Sequence, residues 1–299
     1  MTIPLWIAAT LAAAAAQTAR NATQRHLTEI LGTVGATQVR FLYGLPFALA
    51  FLPAALALTG EPLPSPTTEF LVFVVVGAVT QIMATALMLA AMRERSFSLV
   101  TAYVKTEPVQ VAIFGLLVLG DPLTLASAAA ILIATSGVVI TSLKPGNASG
   151  SLLIGRPVLL GIASGAFFAL AATSFRGATL TLEPASFLVR ATTTLVWGLA
   201  IQTVLLVAWL VLFNRAALVG SLRQWRSSLL AGFLGALASQ FWYIGFALTS
   251  AANVRTLGLV EVPFAYAVSY AVFGQVPTGR EIAGMGLIVI GVALLMLAQ

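Results

Sequence analysis

Apolar residues run along this chain in stretches of about 20, the length a helix needs to cross a bilayer, and the stretches recur from one end to the other. Short clusters of Pro, Gly and charged residues separate them. Read at those breaks, the pattern predicts about ten helices, the first over 4–22 and the second over 32–58, ended by Thr59-Gly60-Glu61-Pro62. The third covers 69–92 and closes on Arg93-Glu94-Arg95; the fourth covers 97–119, and Gly120-Asp121-Pro122 turns the chain into a fifth that ends near Leu143. Asp121, the only Asp, reads as a helix cap in that turn. Beyond the turn-rich segment from Lys144 to Gly150, five more follow over 152–175, 185–213, 228–248, 253–273 and 279–297. Neither period-two alternation nor hairpin signals recur, and an open sheet cannot satisfy its backbone in lipid. The expected fold class is therefore all-α and integral to the membrane.

The count divides the chain into two five-helix repeats, 1–146 and 147–299, that together make one unit. Glu107, Gly120 and Gly137 precede Glu261, Gly274 and Gly291 by a common 154 positions. Arg20-Asn21-Ala22-Thr23 also has a counterpart in Arg176-Gly177-Ala178-Thr179, and Arg40 in Arg190, at slightly different offsets. Because five is odd, the second repeat enters the membrane from the opposite side, which gives inverted repeats around a central cavity near the midplane.

Composition removes the soluble alternative: 60% of residues are hydrophobic and 8% charged, against about 25% charged in a soluble domain. The first apolar stretch has no basic residue before it and close equivalents after it, so it reads as a retained helix and not a secretory signal. No Cys is present, which excludes disulfides and thiolate metal sites, and His26 is the only His. The net charge of +6 comes from Arg residues scattered singly at the ends of apolar runs, a pattern of membrane orientation and not of nucleic-acid binding. Arg20, Arg25, Arg93, Arg95, Lys144, Arg156, Arg215, Arg223, Arg226 and Arg280 fall on one face, and Arg176 and Arg255 on the other. The positive-inside rule then puts the first face in the cytoplasm and both termini outside.

Two carboxylates carry the sharpest chemical signal. Glu107 lies mid-helix before Pro108, and Glu261 lies equivalently with Pro263 two residues on. A charge at the bilayer centre costs about 2.5–3.5 kcal/mol on insertion scales and so faces protein or water. A nearby Pro removes a backbone donor and loosens the helix, which makes Pro108 and Pro263 candidate gating points. Two readings of each Glu stand: a cavity-lining group, or a structural partner of Arg40, Lys105, Arg190 or Arg255. On a helical period Tyr103, Glu107, Gln110 and Phe114 share one face. Gln17, Gln81, Tyr103, Gln240, Trp242 and Tyr243 add hydrogen-bonding and aromatic groups from several helices, a set suited to a small molecule among apolar walls. Singly, such residues also serve as helix-to-helix glue.

No phosphate loop of the Gly-x-x-x-x-Gly-Lys-Ser/Thr kind is present, so this chain alone has no sign of ATP-driven work. No nucleophile–base pair or metal-ligand cluster supports an embedded lipid-modifying enzyme. No catalytic residue, metal or cofactor is expected.

On these features the chain resembles the drug/metabolite transporter superfamily, in particular its ten-helix EamA-type branch of bacterial exporters. The resemblance rests on the two halves, on Arg40 and Arg190, and on Val118-Leu119-Gly120-Asp121-Pro122-Leu123-Thr124 with Gly137-Val138, similar to a Leu-Gly-Glu-x-Leu-Thr signature. The second copy, Phe273-Gly274-Gln275-Val276-Pro277-Thr278, has Gln275 where that signature is acidic. What the resemblance implies is a secondary or facilitative transporter in the bacterial cytoplasmic membrane. It would export amino acids, aromatic ones favoured, or related metabolites by alternating access, with multidrug or other metabolite export as the alternative. It also implies cytoplasmic termini, against the charge count. The expected partners are a small-molecule substrate and the lipid bilayer, without nucleic acid, and two complete halves in one chain make a monomer possible.

Overall fold

A computed structural model of the chain describes residues 4–94, 97–142, 155–273 and 276–298. Among them there is no strand, and eight helices are long and apolar enough to cross a bilayer, with mean hydropathies from 1.3 to 2.3. The chain is an all-α, multi-pass integral membrane protein. The connector at 144–150, Gly274 and Gln275 lie outside the described residues.

The helices start and stop largely where turn chemistry requires. Gly60 and Gly120, at two of the expected breaks, take the left-handed conformation with φ of 70° and 67°, which costs glycine little. The turn after Gly120 corrects one expectation. Asp121 does not cap the next helix: its backbone N–H bonds the Gly115 carbonyl, and the Thr124 hydroxyl accepts from the Ser127 N–H at 3.1 Å. A capping residue must directly precede the first helical one, and Asp121 is too early for α6 (Leu125–Ser142).

Residues Leu5–Leu42 (α1) are helical throughout, without the gap expected between the first two spans, and α2 follows over Leu45–Thr59. The polar run from Arg20 to Glu29 lacks both Pro and Gly, so it ends a span without ending a helix. Still, α1 is not a straight rod. The side chains of Arg20 and Arg40 both reach within 3.5 Å of where a Cβ on Gly235 would stand, whereas 20 residues of straight helix span about 30 Å. The helical path therefore turns back between them.

The chain forms two compact units, each drawing on both repeats, with the divisions falling inside α3 (Thr68–Glu94) and α7 (Arg156–Leu180). Unit 1 comprises residues 1–79 and 174–249. In it, α1 and α2 pack with α8 (Phe187–Phe213), the short α9 (Arg215–Arg223) and α10 (Trp225–Leu248). The expected helices leave 214–227 between them, and there Asn214 caps α9, accepting from the Ala217 N–H at 3.2 Å. Glycines let rings in: Phe175 fills the gap at Gly77, and Phe73 the gap at Gly177. Such small-residue contacts are how helices approach closely in lipid.

Unit 2 comprises residues 80–173 and 250–299. It holds α4 (Phe97–Val104), α5 (Glu107–Phe114), α6, α11 (Ala251–Leu257), α12 (Glu261–Phe273) and α13 (Gly279–Leu297). A π-turn, Gly115–Leu119, follows α5, and a 3-10 turn, Gly258–Val260, joins α11 to α12. Helices α6 and α13 cross backbone to backbone. A Cβ on Gly137 would stand 2.5 Å from the Gly284 carbonyl and 2.8 Å from the Ile288 nitrogen; one on Gly291 would stand 2.8 Å from the Ala130 carbonyl and 2.5 Å from the Ala134 nitrogen. Shifted by 154 positions, Ala130, Ala134 and Gly137 become Gly284, Ile288 and Gly291. The contact is thus its own mirror under exchange of repeats, and its order along the two helices is antiparallel. A two-fold axis that swaps antiparallel spanning helices lies in the membrane plane, which is the geometry of an inverted repeat.

Candidate functional site

The fourth helix of each repeat is broken at the same place. In the first repeat α4 ends at Val104 and α5 begins at Glu107; in the second, α11 ends at Leu257 and α12 begins at Glu261. Pro108 lacks the N–H that would bond the Val104 carbonyl four residues back. The break is stitched locally by the Thr106 hydroxyl, which donates to the Tyr103 carbonyl at 2.7 Å. Gly161 and Gly165 of α7 make room beside it: a Cβ on the first would meet Tyr103 at 2.7 Å, and one on the second the Val104 carbonyl at 3.0 Å. Neither glycine stood out in the sequence, since the need for them arises only from a helix packed across α7.

Each Glu is the first residue of the segment after its break, where the positive end of the helix dipole favours a carboxylate. Each is also paired with a cation from the other repeat. Arg255 Nε stands 3.1 Å from Glu107 Oε1, and Lys105 Nζ forms an ion pair with Glu261. Of the two readings, the structure places both Glu residues in ion pairs, with Lys105 and Arg255 as partners and not Arg40 or Arg190. The carboxylates are repeat-equivalent but the cations are not. Lys105 corresponds to Leu259 and Arg255 to Thr101, so the cations are four residues, about one helical turn, out of register.

The break also dissolves the face expected to join Tyr103, Glu107, Gln110 and Phe114. Tyr103, 9% exposed, packs with Leu99 and Val158. Gln110 instead donates to the Thr106 hydroxyl at 3.2 Å, and the two line a groove of about 450 Å³ along α6 beside Leu132 and Thr135. A single helical period cannot run through a discontinuity, so residues on either side point differently. Gln81, within α3, is buried.

In unit 1 the remaining sequence-predicted residues sit on α1 and α10. Trp242 Nε1 donates to Gln17 Oε1 at 3.2 Å. Tyr243 lies against Phe175, ring centroids 4.8 Å apart and planes tilted by 33°. Gln240 turns the other way, donating to the Thr192 hydroxyl of α8 at 2.8 Å. The structure thus joins Gln17 to Trp242 and directs Gln240 to a different neighbour, since residues two apart on a helix point to nearly opposite sides.

The EamA-like transporter family model matches the chain twice, over residues 4–143 and 155–297. No curated protein sequence matches it. Among 28 solved chains that resemble it, one described as "Crystal structure of protein" superposes with a TM-score of 0.69 at 14% identity, covering 98% of this chain and 96% of its own. At that identity the likeness is one of fold.

Proposed function

The chain belongs to the EamA-like transporter family, within the drug/metabolite superfamily, and from that premise we propose that it exports amino acids, aromatic ones favoured, or related small metabolites. It does so by alternating access across a bacterial cytoplasmic membrane, as a secondary or facilitative carrier. The observation that carries this reading is the pair of crossed ion bridges at the two helix breaks, Glu107 with Arg255 and Lys105 with Glu261. A broken helix moves in segments, and a bridge fixed to the moving end is a latch.

The latch has matched carboxylates and mismatched cations. Exchange of roles between inverted repeats would carry Glu107 and Glu261 into each other's surroundings, but Thr101 and Leu259 hold no charge to meet them. The two access states therefore differ in energy, and cargo shifts the balance only through unequal affinity for them. Gln17, Trp242 and Tyr243 supply a hydrogen-bonding and aromatic patch that suits an aromatic side chain. Counterflow in liposomes tests the reading: labelled aromatic amino acid accumulates against unlabelled amino acid inside. A metabolite or drug panel in the same assay identifies other cargo.

A further inference from the structure

The connectors that follow the second helix of each repeat have diverged. After α2 the chain passes through residues 60–67 without a helix, with three prolines, the acidic Glu61 and no basic residue. After α8 it forms α9, bounded by Arg215 and Arg223, and Arg226 follows at the start of α10. Between Glu183 and Glu261 the sequence has no other Asp or Glu. Residues 60–67 show that a plain turn suffices at this place, so the helix and its arginines are an addition of the second repeat.

Helix α9 is fastened by one face and open on the other. Ser221 is buried, and its carbonyl accepts from the hydroxyl of Tyr43, the residue after α1, at 3.0 Å. Tyr43 is itself seated on Gly232 of α10, where a Cβ would stand 2.5 Å from it. On the helical period Arg215, Val219, Leu222 and Arg223 share the opposite face, and all four are exposed. Basic and apolar side chains together on an open face suit the boundary between acyl chains and headgroups. There the stems stay in the apolar layer and the guanidinium heads reach the phosphates.

The flanking aromatic residues mark the same depth. Trp209 and Phe213, with ring centroids 5.7 Å apart, are exposed at the end of α8, and Trp225, also exposed, opens α10. Tryptophan collects at headgroup level. Arg226 lies over the Trp225 ring, 5.4 Å from its centroid, which holds a cation at that level.

We propose that α9 and the first turn of α10 form a docking surface for anionic phospholipid, with Arg223 and Arg226 taking the phosphodiester and Val219 and Leu222 resting on the acyl chains. Arg215 adds charge beside them while its Nε donates to the Val211 carbonyl at 2.8 Å. Charge selects the lipid: arginine binds phosphate oxygens through charge-assisted hydrogen bonds, and a zwitterionic headgroup would bring its own cation to the same place. The surface does not depend on what the cargo is.

The full chain in neutral detergent is titrated with phosphatidylglycerol, phosphatidylcholine and inorganic phosphate, and bound lipid is counted by native mass spectrometry. Wild type is compared with Arg223→Gln/Arg226→Gln and with Arg93→Gln/Arg280→Gln, a control whose arginines are exposed on α3 and α13. The expected result is phosphatidylglycerol bound ahead of phosphatidylcholine in wild type and control, with the preference reduced about fivefold for each of Arg223 and Arg226 removed. Inorganic phosphate should not displace the lipid. Arg223→Gln alone carries the comparison should the double variant not fold. Equal affinity for the two lipids in wild type overturns the proposal, as does an equal fall in both double variants, which would mean diffuse attraction without a site. Displacement by phosphate also overturns it, since an anion site would then exist without a lipid.

Discussion

Glu107 of the first repeat and Arg255 of the second stand 3.1 Å apart where α5 meets α11. The counterpart of Arg255 is Thr101, so Glu261 takes Lys105 instead. Neutralising one partner leaves the other in a poorly solvated place. Glu107→Gln and Arg255→Gln are each expected to lower stability by about 1–3 kcal/mol, and the double variant by less than their sum. Thermal unfolding of the four species in detergent measures the coupling; additive losses would contradict a direct bridge.

Gly137 and Gly291 are where α6 and α13 touch through backbone, and a helix backbone cannot swing aside as a side chain can. Gly137→Ala and Gly291→Ala should each cost about 1–3 kcal/mol. Gly286, also on α13, has nothing within 4 Å of its would-be Cβ. Gly286→Ala is expected to be neutral or to stabilise by up to about 1 kcal/mol. Equal losses at all three positions would show that the crossing is not made there.

Arg176 serves two carbonyls at the end of α10. Arg176→Met keeps much of the stem and removes the donors, with an expected loss of about 1–3 kcal/mol. Hydrogen exchange should locate that loss in the last turn of α10. Unchanged protection of that turn would count against the capping role.

On the proposed transport reading, Trp242 offers cargo both a ring and the N–H that rests on Gln17. Trp242→Phe keeps an aromatic ring, though a smaller one, and removes the donor, worth about 0.5–1.5 kcal/mol. The expected effect is a KM for labelled phenylalanine raised roughly two- to tenfold at that energy, with maximal flux little changed. A loss confined to maximal flux would mean that the pair serves movement and not recognition.

Much of this was legible in the chain, because lipid imposes length on every span and duplication leaves a fixed offset. The 154-position shift, noticed from Glu107, Gly120 and Gly137, reappears as the reciprocal contacts of Gly137 and Gly291. Pro108 and Pro263 marked both breaks. What the sequence did not disclose was pairing in space. Four cations were open as partners for the two Glu residues, and only the packing of α5 with α11 selects Arg255 for Glu107. Gln240 and Trp242 looked like companions two residues apart, yet they bond to α8 and α1. Arg40 and Arg190 looked equivalent, but Arg190 donates to the Ala247 carbonyl at the end of α10, whereas the stem of Arg40 lies against Gly235 in its middle.

The most direct test of the central claim is counterflow in liposomes that contain only this chain. Labelled phenylalanine, tyrosine or tryptophan should accumulate transiently when unlabelled amino acid is trapped inside, with saturable rates. Both Glu107→Gln and Glu261→Gln should alter that exchange, unequally because their cation partners differ. Absence of substrate-dependent flux across a broad amino-acid and metabolite panel, or flux that neither saturates nor exchanges, would contradict the account.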